Sequence, residues 1–279
     1  MDALVTTQWL ADALDARDLR IADASYFLPD HGRDAEAEYR EVHLPGAVFL
    51  NLAELKDDAD PLPSMRPPPE KFASRLRALG LGDGTRIVLY DHSPLKSAAR
   101  AWWLCRSFGL KDVAILDGGL EKWRAEGRPV ESGSVEPRER HLILDPDNGT
   151  VRSRAEMLAN CKSGAEQVLD ARAAGRFSGV EPEPRPGMAS GHIPGALNLP
   201  YGRLFHADGT WKRGDALRAA FAGAGVDLTR PVVTSCGSGI TAAVLNFGLH
   251  LLGCDSALYD GSWAEWGADP ETPKQKETV

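Results

Sequence analysis

The chain has 279 residues, is 43% hydrophobic and 26% charged, and carries a formal charge of −8. It is long enough for two domains, and with no basic stripe in an acidic chain, nucleic acid is not expected as its main ligand. No apolar run reaches membrane-spanning length, and no basic segment leads into an apolar block at the N-terminus, so neither a membrane span nor a secretory leader is expected.

An amphipathic helix is predicted over Thr7–Ala16, with threonine as N-cap. A short apolar strand ending in Asp23-Ala24 follows. A polar loop then leads to His43-Leu44-Pro45-Gly46-Ala47 and a second short strand. Next come a helix over Pro69–Leu79, a central strand Ile87-Val88-Leu89-Tyr90 running into Asp91, and a helix over Ala98–Phe108. A further strand, the turn Asp117-Gly118 and a helix bearing Trp123 complete the unit. Residues 127–150 read as a linker because Gly127, Pro129, Gly133, Pro137, Pro146 and Gly149 punctuate it among charges.

The same grammar then begins again. A helix over Ser153–Ser163 precedes a strand ending in Asp170-Ala171. His192-Ile193-Pro194-Gly195-Ala196 follows, then a helix over Gly214–Ala224. The central strand Val232-Val233-Thr234-Ser235 ends on Cys236, and a helix runs over Thr241–Leu252. Asp260-Gly261 opens the last helix, which carries Trp263 and Trp266. From Ala268 the chain is polar and contains proline, so a loose tail is expected.

Four motifs recurring in one order at a nearly constant offset indicate duplication of a whole domain. The boundaries are placed at 1–130 for the first copy, 131–150 for the linker and 151–279 for the second copy. Strands alternating with helices predict an α/β fold: two tandem domains, each a mainly parallel sheet flanked by helices. In such sheets ligands bind beyond the carboxyl ends of the strands, where Cys236 lies.

Cys236-Gly237-Ser238-Gly239-Ile240-Thr241 carries the chemistry. A cysteine at a strand end, under a small-residue loop that opens a helix, faces converging backbone N–H groups and the positive end of the helix, which favour an anion. A buried structural thiol is the competing reading. Ser238 and Thr241 read either as hydroxyls on the sulfur or as helix caps. Cys105 and Cys254 are expected in apolar packing. The four cysteines, which include Cys161, contain no CxxC spacing, so no metal site is suggested, and a reduced, cytoplasmic protein is expected. His43 and His192 are expected to fix turns, and Trp123, Trp263 and Trp266 to be packed aromatics.

The loop, the paired His-x-Pro-Gly-Ala turns and the Asp-Gly-x-x-x-x-Trp ends together resemble the rhodanese superfamily in its tandem form. That resemblance implies an inactive N-terminal copy, consistent with Asp91 at the position of Cys236. Within the superfamily, Cys-Gly-Ser-Gly-Ile-Thr and the segment from Ala171 through Arg185 resemble the 3-mercaptopyruvate sulfurtransferase group. The resemblance implies that Cys236 carries sulfur as a persulfide and that Arg176 and Arg185 bind the carboxylate and carbonyl of the donor. Read from the residues alone, the two arginines are loop cations paired with Glu181 and Glu183.

The implied partners are a small-molecule sulfur donor and a thiol acceptor, thioredoxin among the candidates, or cyanide. No cofactor is implied. A thiosulfate-using enzyme is the nearest alternative, although that group places Arg and Lys after the cysteine. A cysteine phosphatase would need an Arg where Ala242 stands, and a non-catalytic binding module is more remote. The mercaptopyruvate group often carries an acid and a histidine as partners of the loop serine, whereas Ala53 and Ser64 stand at those places. A Ser-His-Asp relay built on Ser238 is therefore not expected.

Overall fold

The structure is a computed structural model that describes residues 1–146 and 148–277. Asp147 of the expected linker, and Thr278 and Val279 of the expected tail and second domain, lie outside the described residues. The chain divides into two compact units, Met1–Asp58 with Arg66–Asp147 and Ala207–Trp211, and Ala59–Met65 with Asn148–His206 and Lys212–Val279.

The first unit contains β1 (Leu4–Val5), α1 (Thr7–Ala13), β2 (Leu19–Asp23), α2 (Ala35–Glu41), β3 (Val48–Phe49), α3 (Pro69–Ala78), β4 (Arg86–Tyr90), α4 (Ala98–Ser107), β5 (Val113–Leu116) and α5 (Gly119–Ala125). Its five strands are ordered β1-β5-β4-β2-β3, and every pairing is parallel. The second unit contains β6 (Val151–Arg152), α6 (Arg154–Ser163), β7 (Gln167–Asp170), α7 (Ala174–Ser178), β8 (Leu197–Asn198), α8 (Gly214–Gly223), β9 (Val232–Ser235), α9 (Ala242–Leu251), β10 (Ser256–Tyr259) and α10 (Ser262–Trp266). Its order is β6-β10-β9-β7-β8, again all parallel. The predicted fold class is therefore the observed one. β4 and β9 are central in their sheets and buried along nearly their whole length, as strands covered on both faces are.

Helix starts follow side-chain chemistry. The Thr6 hydroxyl accepts the Trp9 N–H, one residue before the expected start of α1. Ser153 and Glu156 form a reciprocal capping box at α6. α1 ends at Ala13 rather than Ala16, because tight turns from Ala13 to Ala16 and from Ala16 to Leu19 lead directly into β2.

The duplication extends into the stretches read as linker and tail. His43 and Glu131 exchange backbone hydrogen bonds at 2.9 Å each way. His192 and Gln275 do the same at 2.9 and 3.0 Å. The Trp123 indole N–H donates to Pro129 O at 2.6 Å, and the Trp266 indole to Pro273 O at 2.7 Å. Further along the first strap, Asp83 N–H donates to His141 O and Asp145 N–H to Phe108 O, and Leu142 is buried. The described part of the stretch from Ala268, residues 268–277, is thus not a loose tail. Thr272 is buried, with its hydroxyl on Trp266 O, because the indoles at the ends of α5 and α10 need acceptors and the following chain supplies them. His43 and His192 sit under these straps with Nδ1 on Tyr39 O and Phe177 O, each at 2.8 Å, which is the turn-fixing role expected of them.

Gly191 packs closely against the second strap. Its φ is +120°, and a β-carbon there would lie 2.3 Å from Gln275 O. Gly191→Ala is expected to destabilise by about 1–3 kcal/mol, read as a lower urea midpoint. Gly195→Ala, with nothing within 4 Å of its β-carbon position, is the control and should cost less.

Candidate active site

Asp170 is in register with Ser235, so β7 and β9 end together at the carboxyl edge of the second sheet, and Cys236 is the next residue. Gly239 takes φ +80°, a left-handed conformation that suits glycine. That turn brings its N–H back onto Cys236 Sγ at 3.1 Å.

The loop is pinned from the other side by the turn between β10 and α10. Cys236 N–H donates to Ser262 Oγ at 3.2 Å, and Ser262 Oγ donates to Tyr259 O at 2.8 Å. Trp263 N–H donates to Cys236 O and Ala264 N–H to Gly237 O, both at 2.9 Å. Cys236 is therefore immobilised through both its backbone groups. Ser262 holds φ +49°, a strained conformation for a residue with a β-carbon, whereas Gly119 takes φ +57° at the equivalent place in the first unit. Ser262 was not singled out from sequence, although its place opposite Gly119 in the repeat is the signal that marks it. Tyr201 stands close by, its hydroxyl pushed up first by burial and then by the negative charge of the Cys236 sulfur.

A chain of alternating charges runs along the same edge. The Asp170 carboxylate accepts Arg172 N–H at 2.9 Å and its guanidinium at 2.8 to 3.2 Å. Arg172 Nη1 donates to Glu183 Oε1 at 2.7 Å and Nη2 to Gly191 O at 2.8 Å, while its guanidinium lies over the Trp263 ring, 4.3 Å from the centroid. The Arg172 and Glu183 side chains are each 1% exposed. Glu183 also takes Arg176, with Nη2 at 2.5 Å and Nε at 3.3 Å. Arg176 Nη2 in turn lies 3.2 Å from where a β-carbon on Gly237 would sit. Gly237 thus gives the guanidinium its approach to the cysteine loop, and Arg176 is brought together with Cys236.

Arg185 is half-buried and has no hydrogen-bond or ion-pair partner among the described residues. The expected pairing of both arginines with Glu181 and Glu183 therefore holds only for Arg176 with Glu183. Glu181 is exposed and folds back onto Gly175, its N–H on Gly175 O at 2.9 Å.

Ile240 is buried, 4% exposed, and anchors the loop. Thr241 occupies the N-cap position of α9 but makes no side-chain cap bond. Ser238 Oγ has no hydrogen-bond partner among the described residues. Cys105 is buried, and burial pushes its thiol up to about 12, so it is inert at neutral pH. Cys254 is half-buried with its thiol on Leu228 O at 3.6 Å and near Leu252 O at 3.9 Å, a less apolar setting than expected because two backbone carbonyls face it. Among the described residues no group of His, Cys, Asp or Glu is placed to hold a metal ion.

The first unit fills the same cradle with its own carboxylate. Asp91 accepts Ser93 N–H at 3.1 Å and Ala98 N–H at 2.7 Å. Burial pushes the Asp91 carboxyl up to about 6, against the pull of Lys96 and those two amides. Those two amides are thus satisfied internally, and a carboxylate stands there where the second unit has its thiol.

Comparison with known proteins gives the family. The rhodanese-like domain family matches residues 6–126 and again 153–269. The chain belongs to the rhodanese-like family, as a tandem of two such domains. It is 41% identical over 271 residues to 3-mercaptopyruvate sulfurtransferase of Homo sapiens, covering 95% of this chain and 91% of that protein. It is 39% identical over 280 residues to thiosulfate sulfurtransferase of Bos taurus, covering 97% and 94%. The crystal structure of SseA, a 3-mercaptopyruvate sulfotransferase from Escherichia coli, superposes with a TM-score of 0.86 at 39% identity, covering 94% of this chain and 99% of that one.

Proposed function

We propose that this protein is a sulfurtransferase that takes sulfur from 3-mercaptopyruvate onto Cys236 and passes it to a thiol or cyanide. The observation that carries the reading is Arg176, held against Gly237 beside Cys236, with the unpaired Arg185 in the same segment. Two guanidinium groups suit a keto acid, since a planar fork can grip a carboxylate and a pre-placed donor can hold developing enolate charge.

In the first half-reaction the Cys236 thiolate attacks the substrate sulfur. The new S–S bond forms as the C–S bond breaks, and that electron pair becomes the enolate of pyruvate. The proton from the substrate thiol balances the enolate, leaving pyruvate and an anionic Cys236 persulfide. The Gly239 N–H at Sγ supports the thiolate, and the loop around it the persulfide. An acceptor thiolate then takes the outer sulfur and frees Cys236, so the cycle is ping-pong and needs no external oxidant. Ser238 and Thr241 line the loop in this reading without a relay. Neither Ala53 nor Ser64 can serve as the acid or imidazole of one, and the substrate thiol supplies the proton.

In this reading the first copy, residues 1–130, is catalytically inactive, 131–150 is the linker and 151–279 is the catalytic copy. A small redox protein such as thioredoxin is the proposed thiol acceptor. A cytoplasmic, reducing setting is proposed with it, since all four cysteines are free thiols. Among the described residues no helix is long and apolar enough to cross a membrane.

Donor preference tests the reading. Steady-state kcat/KM is expected to favour 3-mercaptopyruvate over thiosulfate, and a clear thiosulfate preference would overturn it. Arg185→Ala is expected to raise KM for mercaptopyruvate by about 10- to 100-fold, the loss of a charge-assisted contact of about 1.5–3 kcal/mol. The rise for thiosulfate should be smaller, because that donor has no carboxylate. Equal effects on both donors would remove Arg185 from substrate discrimination.

A further inference from the structure

We infer that Glu183 selects the donor, by holding Arg176 in place and cancelling its charge. The inference rests on the sulfurtransferase reading above and concerns the same site. Glu183 is a positioning residue: both its oxygens face guanidinium groups, Oε1 at 2.7 Å from Arg172 Nη1 and Oε2 at 2.5 Å from Arg176 Nη2. Its side chain is 1% exposed, whereas that of Arg176 is 28% exposed. The carboxylate is therefore the fixed member of the pair and the guanidinium the member that reaches out. Arg172 cannot follow Arg176, since Asp170, Gly191 O and the Trp263 ring all hold it.

The charges decide what this does. Asp170, Arg172, Glu183 and Arg176 alternate in sign and sum to zero. Arg185 is then the uncompensated cation of the segment among the described residues, and the exposed Glu181 is turned back onto Gly175. With Arg185 on the donor, as the sulfurtransferase reading has it, the arginines and carboxylates leave one uncompensated positive charge, the Cys236 thiolate being present with either donor, and that charge matches a donor with one negative charge. 3-Mercaptopyruvate with its thiol protonated carries one, and thiosulfate carries two. In a partly buried site, each unmatched charge weighs more than it would in water. Glu183 thus holds the field near Cys236 at the level that suits an organic monoanion.

The test is the ratio of kcat/KM for thiosulfate to that for 3-mercaptopyruvate, measured on the full chain. Glu183→Gln keeps the side-chain shape and removes the charge. It is expected to lower kcat for both donors, as Arg176 loosens, and to raise the ratio about tenfold. That rise should shrink as ionic strength increases. Glu183→Asp keeps the charge and should leave the ratio near the wild-type value while lowering kcat. A purely structural role would depress both donors alike in both variants, and an unchanged ratio in a folded Glu183→Gln protein overturns the inference.

Wild type supplies a second measurement that no folding defect can confound. Pyruvate should compete with the donor more strongly than sulfate, and the reverse order would also overturn the inference. If wild type does not turn over 3-mercaptopyruvate at all, the sulfurtransferase reading fails instead, and the two failures are distinct.

Discussion

Cys236→Ser is expected to abolish sulfur transfer, with turnover reduced at least about a thousandfold, the scale on which loss of a covalent nucleophile is felt. A hydroxyl in the same place cannot form a persulfide, and it is far less ionised than a thiol at neutral pH. Intact mass after incubation with donor should show one added sulfur on wild type and none on Cys236→Ser. The other three thiols supply the internal control. Cys105 is buried with its thiol pushed up to about 12, Cys161 lies within α6, and the Cys254 thiol faces the carbonyls of Leu228 and Leu252. If the Cys236→Ser protein still acquires the sulfur, Cys236 is not the acceptor. The serine should leave the fold intact, because the backbone of residue 236 is held by Ser262 and Trp263 whatever its side chain.

Arg172→Met should have the largest effect on stability. Arg172 links two carboxylates that are almost wholly shielded, Asp170 at 2% and Glu183 at 1% side-chain exposure. Removing the cation takes away the guanidinium that Asp170 shares with Glu183 and leaves Glu183 with Arg176 alone, so two buried carboxylates keep their desolvation cost with less to offset it. Breaking such a pair costs about 3–5 kcal/mol. The urea midpoint should fall accordingly. Arg40→Met, which severs only an exposed pair with Glu36, should leave the midpoint nearly unchanged. An Arg172→Met protein as stable as wild type would show that the charge chain is not part of the folded framework.

Residues near each other in sequence were read well. The helices over Pro69–Ala78, Gly214–Gly223 and Arg154–Ser163 match their predicted spans within a residue or so, because caps and apolar periodicity are local properties. Cys236 and its glycines stood out for the same reason. Ser262 did not, since its bond to Cys236 N–H spans 26 residues. The Ala268 stretch was misjudged because its polar composition hides a requirement set elsewhere: Trp266 and His192 need backbone partners, and only the folded chain shows that Pro273 and Gln275 provide them. Glu183 looked like a surface partner of a loop arginine, and nothing local reveals that it is buried against Arg172.

By itself, the sequence determined the duplicated α/β architecture, and it placed a cysteine at the end of the central strand of the second copy and an aspartate at the same point of the first. Periodicity, punctuation by glycine and proline, and residue identity are enough for those. Only the tertiary structure decided which cations are spent and which are left. Arg172 and Arg176 are bound to Glu183, Arg185 is not, and Asp91 takes the amides of Ser93 and Ala98 where the Cys236 sulfur takes that of Gly239. Charge balance depends on distance and burial, and both are set by the packing of strands and straps far apart along the chain.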